Sequence, residues 1–124
     1  MQHQKILLVD DEEVIVEELC ELLRSSDFST DMATSVDEAL DMIEKDLSIT
    51  LVMTDMRMPG KSGADLIRAL QSNTERVFEF LIISGHLDAG EELDGINMES
   101  VSLMRKPIDV GELLTYVDSL SFKP

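Results

Sequence analysis

The chain is short of positive charge, with 10 Lys and Arg against 26 Asp and Glu and a formal net charge of -16. A nucleic acid duplex is a dense phosphate polyanion that only clustered cations neutralise, so direct nucleic-acid binding is excluded. Cysteine is nearly absent: the single Cys20 cannot make an internal disulfide. It recurs at helical spacing with Val16, Leu19 and Leu23, which marks it as a small core residue rather than a reactive thiol. No apolar run approaches the roughly 18 residues of a membrane span. Met1 to Lys5 carries no signal-peptide pattern, and together these features predict a cytoplasmic protein. Internal repeats, low-complexity stretches and linkers are also missing.

What is present is a globular composition, 44% hydrophobic and 29% charged over 124 residues. That is enough chain for one domain, residues 1–124, to bury a core without disulfide or metal staples. No effector domain is expected within it. Many of the acids belong to a solvated helix face, because Glu12, Glu13, Glu17, Glu18 and Glu21 interleave with the apolar stripe of Val16, Leu19, Cys20 and Leu23.

Apolar runs alternate with amphipathic ones. Strands are predicted at Ile6 to Val9, Phe28 to Ala33, Ile49 to Thr54, Glu79 to Ser84 and about Ser100 to Arg105. Helices are predicted between them, the second behind a capping-box pattern at Ser35-Val36-Asp37-Glu38 and the last behind another at Asp109-Val110-Gly111-Glu112. Pro59 to Gly63 reads as a loop ahead of a helix carrying Ala64, Ile67 and Leu70. The stretch from Gly85 to Gly95 has little apolar periodicity, so any helix in it should be short or mobile. Five strands with intervening helices make a doubly wound α/β domain: a parallel sheet with helices on both faces. If the strand order is 2-1-3-4-5, the flavodoxin-like order, the first and third strands meet at the switch point where ligands bind.

Four of the apolar runs end in polar residues suited to phosphoryl chemistry: Asp10-Asp11, Thr54-Asp55, Ser84 and Arg105-Lys106. On a parallel sheet they share one edge. Three carboxylates in one crevice repel one another, and a divalent cation relieves that conflict. Mg2+ is the candidate, being a hard ion held by one or two carboxylates plus a phosphate; no Cys or His stands at a spacing that suits zinc. Lys106 and Ser84 could then hold phosphoryl oxygens as a point charge and a hydroxyl donor. Taken singly, each residue has a blander reading as a strand end or a helix cap, and Asp11 beside Glu12-Glu13 reads as an N-cap.

Together, Ile6-Leu7-Leu8-Val9-Asp10-Asp11, the run from Thr54 through Met58-Pro59-Gly60 to Gly63, Ile83-Ser84-Gly85 and Lys106-Pro107 resemble the receiver domain of two-component response regulators. The resemblance spans essentially the whole chain. It implies a phosphorylation-dependent switch, a regulatory domain rather than an enzyme acting on other substrates. Asp55 would accept a phosphoryl group from a phosphohistidine of a sensor histidine kinase or a histidine phosphotransfer protein. Asp11 would bind Mg2+ directly, Asp10 largely through water, and Asp55 and the backbone carbonyl of Arg57 would complete the protein ligands. Ser84 and Lys106 would contact the phosphoryl group. The resemblance also implies a cis Lys106-Pro107 bond, and it leaves a homodimer open.

Departures from the family pattern are specific. Leu103 stands where receivers commonly carry Tyr or Phe, so no aromatic rotamer relay is available. Asn97-Met98-Glu99 replaces the usual small residues before the last strand, and Ile108 stands where Phe is frequent. Arg57 and His86 flank the site at variable positions, where side chains can shield or guide water. Two other readings remain at this stage: a pseudo-receiver acting as a protein-interaction scaffold, and an Asp-nucleophile phosphatase of another α/β family. The latter typically has a second acid two residues after the nucleophile, where this chain has Arg57.

Overall fold

The computed structural model describes residues 4–85 and 93–120. The elements run β1 (Lys5–Val9), α1 (Glu13–Ser25), β2 (Ser29–Ala33), α2 (Val36–Lys45), β3 (Ile49–Asp55), α3 (Gly63–Asn73), β4 (Glu79–Ser84), a 3-10 turn (Met98–Ser100), β5 (Val101–Arg105) and α4 (Val110–Ser119). All five strands are parallel, in the order β2-β1-β3-β4-β5. Of the stretch from Gly85 to Gly95, residues 86–92 lie outside the described residues, His86 among them.

Strand alternation divides the core in two, because successive side chains face opposite sides of a sheet. Leu7, Val9, Val52, Phe80 and Ile82 pack against Val36, Ala39 and Ile43 of α2 and Ala64, Ile67 and Leu70 of α3. Ile6, Leu8, Leu51, Met53, Leu81 and Ile83 pack against Val16, Cys20 and Leu23 of α1 and Leu113 and Val117 of α4. Continuous apolar strands are thus explained by cover on both faces. Cys20 is a buried core residue as its spacing predicts, and burial pushes its thiol pKa up. The acids Glu12, Glu13, Glu17, Glu18 and Glu21 are all exposed.

The helix starts differ from the sequence patterns in detail. Ser35 accepts a hydrogen bond from the Glu38 N–H, yet the Glu38 carboxylate accepts from Thr34 N–H, one residue before the cap. Asp109 caps α4 through the Glu112 N–H. The reciprocal capping box is at Ser62 and Asp65, opening α3. Asp11 does not cap α1: Glu12 holds that position without a side-chain bond, and Asp10 Oδ1 accepts from the Glu12 N–H instead.

Candidate functional site

Strand ends deliver the site. β1 and β3 are neighbours in register, Val9 opposite Thr54, so the Asp10-Asp11 pair that follows β1 lies beside Asp55 at the end of β3. β4 pairs with β3 on its other side, Asp55 opposite Ile83, which sets Ser84 one residue further on. Lys106 follows β5 directly, and its N–H donates to the Ser84 carbonyl at 2.9 Å. The Lys106-Pro107 peptide bond is cis, as the resemblance implies.

Carboxylate oxygens of Asp10, Asp11 and Asp55 all fall within 4.8 Å of one another. Asp10 and Asp55 are buried, while Asp11 is exposed. Lys106 Nζ is 3.2 Å from Asp55 Oδ1 and 3.8 Å from Asp10 Oδ2. Burial pushes the Asp10 pKa up, and the Asp55 charge adds to it; the Glu12 N–H bond and Lys106 act the other way. Burial works against the Lys106 charge, but the hydrogen bond and charge of Asp55 outweigh it and raise its pKa. One ammonium against three carboxylates leaves excess negative charge among oxygen donors, and among the described residues no Cys or His joins the cluster. That donor set fits a hard divalent cation such as Mg2+ and not a soft one.

The loop from Met56 to Ser62 is held close to the site. Met56 N–H donates to the Ile83 carbonyl at 3.2 Å, and Gly63 N–H donates to the Met56 carbonyl at 3.0 Å. A Cβ on Gly63 would lie 2.3 Å from the Asp55 carbonyl oxygen, so the start of α3 can pack there only as glycine. Arg57, two residues past Asp55, is exposed within this loop. Leu103 is 41% exposed on β5.

Beside Lys106 runs a mostly apolar groove of about 710 Å³, lined by Ile15, Leu19, Leu22, Pro107, Ile108 and Val110 together with Glu18. Ile15 and Leu22 widen the apolar face of α1 beyond the core stripe, a feature visible in their sequence spacing. Two residues make contacts that the sequence patterns do not assign to them, Thr54 at the site and Arg76 at the opposite edge of the sheet. Thr54 is fully buried and donates its hydroxyl to the Asp55 carbonyl at 2.9 Å. Arg76 donates to the Ile43 and Ile49 carbonyls at 2.6 and 2.9 Å.

The response regulator receiver domain family model matches residues 6–118. The two-component response regulator PprB of Pseudomonas aeruginosa is 29% identical over 96% of this chain, which spans 44% of its length. The transcriptional regulatory protein CpxR of Escherichia coli is 32% identical over 94% of this chain, and the chain spans 48% of it. The chain therefore spans about half the length of these curated relatives. A response regulator receiver protein from Pseudomonas putida superposes with a TM-score of 0.87 at 31% identity, covering 96% of this chain and 98% of that one. A receiver domain protein from Clostridium thermocellum superposes at 0.81 and 30% identity, covering 94% and 92%.

Proposed function

Because the chain belongs to the response regulator receiver domain family of two-component systems, we propose that it is a phosphorylation-dependent switch whose acceptor is Asp55. The donor is a phosphohistidine on a sensor histidine kinase or histidine phosphotransfer protein. The observation that carries this reading is the ammonium of Lys106, 3.2 Å from the Asp55 carboxylate, in a cluster of three carboxylates. A pseudo-receiver scaffold would have no use for a buried acid held against a lysine at the edge where the other acids converge. In this reading residues 1–124 form one receiver unit that works in the cytoplasm. No helix among the described residues is long and apolar enough to cross a membrane.

The chemistry is in-line attack by an Asp55 carboxylate oxygen on phosphorus. The P–N bond to the imidazole breaks, its electron pair leaves with the ring nitrogen, and an acyl phosphate forms. Lys106 neutralises charge on the phosphoryl oxygens, and the Ser84 hydroxyl donates to one of them. Asp10, Asp11, Asp55 and the Arg57 carbonyl would hold Mg2+, which when bound offsets the carboxylate repulsion and the phosphoryl charge. Attack by water on the acyl phosphate returns Asp55 to its starting state. The groove beside Lys106 suits an amphipathic partner helix carrying the phosphohistidine, since its apolar wall ends at the lysine that faces Asp55.

The test is intact mass after incubation with acetyl phosphate. One phosphoryl mass is expected in Mg2+, almost none in EDTA, and none with Asp55→Asn. A phosphorylated Asp55→Asn protein would overturn the assignment of the acceptor.

A further inference from the structure

Consecutive residues at the end of β3 face opposite sides of the sheet. Asp55 lines a small cavity with Val16, Leu19 and Met53 on the α1 side, whereas Thr54 lies against the first residue of α3. Thr54 Oγ1 donates to the Asp55 carbonyl oxygen at 2.9 Å. The same oxygen is backed by Gly63, whose added Cβ would come within 2.3 Å of it and 3.0 Å of Thr54 Cγ2 and Oγ1. The carbonyl end of the peptide that follows Asp55 is therefore held from two sides, by a buried hydroxyl and by a helix start with no side chain. Rotation of that peptide would tilt the Asp55 Cα–Cβ bond at one end and move the Met56-Arg57 run at the other. The N–H of the same peptide is tied across to β4, Met56 N–H to the Ile83 carbonyl at 3.2 Å, so the Thr54 hydroxyl and Gly63 supply the hold on its carbonyl end.

We propose that Thr54 is a positioning residue for phosphoryl transfer. Its hydroxyl fixes the Asp55 peptide, and so the direction of the acceptor carboxylate toward Lys106. The proposal rests on the reading of Asp55 as acceptor and extends it to a residue that touches neither the phosphoryl donor nor the other carboxylates. Near-attack geometry is sensitive to small displacements, so the loss of one hydrogen bond at this peptide acts on rate as well as on fold.

Thr54 offers a clean separation because its methyl and hydroxyl can be removed independently. Thr54→Val keeps the branched shape and deletes the donor; Thr54→Ser keeps the donor and deletes the buried methyl. The rate of phosphorylation by acetyl phosphate in Mg2+ is expected to fall about tenfold in Thr54→Val, the worth of roughly one hydrogen bond. Its thermal midpoint should fall too, because the buried Asp55 carbonyl loses the Thr54 hydroxyl. Thr54→Ser should also have a lower midpoint, because cavities cost stability, but a rate within about twofold of the parent. Calorimetric titration with Mg2+ alone should give weaker binding for the Val variant than for the Ser variant. A parent-like rate in Thr54→Val, or rates in both variants that simply follow their stabilities, would overturn the proposal. If the parent takes up no phosphoryl group, or Asp55→Asn does, the acceptor reading fails. The Mg2+ titrations then still decide for or against Thr54: equal binding by the two variants would overturn its role.

Discussion

At the scale of single residues, charge compensation separates the site from the scaffold. Asp46 sits at the opposite edge of the sheet, where Lys5 Nζ meets its carboxylate at 2.8 Å and Ser48 donates to it as well. The Lys5 hydrogen bond, then Ser48, lower its pKa from 3.8 to about 2. A carboxylate with a depressed pKa in the fold stabilises it fully above its unfolded pKa, and that contribution is lost as pH falls from 3.8 toward about 2. The side chain is 32% exposed, so solvent screening reduces its worth to about 1 kcal/mol. Urea midpoints of Asp46→Asn should be lower than the parent's at neutral pH, and the two should converge in acid across that window. A gap that persisted below the window would show that Asp46 acts by packing rather than by charge.

Elements meet at the same edge through Arg76. Its guanidinium donates to the Ile43 carbonyl near the end of α2 and to the Ile49 carbonyl at the start of β3, and it lies 4.8 Å from the centre of the Phe78 ring. One planar fork thus satisfies carbonyls of a helix end and a strand start together, which a lysine point charge cannot reproduce. Arg76→Lys is expected to cost about 2 kcal/mol, the scale of a hydrogen bond from a charged donor. Denaturant titration checks this, and the folded variant should still accept a phosphoryl group from acetyl phosphate at the parent rate. A slowed rate would mean that the two edges of the sheet are coupled. At the other edge, the closed capping box of Ser62 and Asp65 starts α3 where Gly63 can lie against the Asp55 carbonyl.

For the molecule as a whole, the arrangement separates chemistry from recognition. In the proposed function the carboxylates and Lys106 serve a small phosphoryl donor, whereas a protein donor also settles in the groove between α1 and the segment from Lys106 to Val110. Ile15 is half-buried there and lies outside the core stripe of Val16, Cys20 and Leu23. Ile15→Ala should slow transfer from a phosphohistidine protein by about tenfold, the order expected for truncating an apolar anchor, and leave acetyl phosphate reactivity unchanged. Equal transfer by parent and variant would remove the groove from the docking surface. The exposed acids of α1 and the net charge of -16 should make the protein reaction salt-sensitive while the small-donor reaction is less so.

The elements, and the residues that end the strands, were legible in the amino-acid sequence because both are local. Helical spacing marked Val16, Leu19, Cys20 and Leu23 as one face, apolar runs marked the strands, and the residues ending those runs were those that a parallel sheet brings to one edge. Alternation alone could not rank strand order. The order 2-1-3-4-5 enters from sequence only as a condition, and β1 beside β3 stands as an observed pairing. What only the tertiary structure decided are contacts between segments distant in sequence. The Lys106 to Asp55 distance, the Arg76 fork and the groove beside Lys106 depend on how strands and helices pack. The Thr54 hydroxyl bond is local, but its meaning is not: in the sequence Thr54 stands only as the polar neighbour of Asp55, until α3 is seen to leave no room behind the Asp55 carbonyl. Capping divided the same way, since Ser62-x-x-Asp65 and Ser35-x-x-Glu38 look alike as patterns. Only the path of the preceding chain determines whether the second side chain returns to the cap residue or to the one before it.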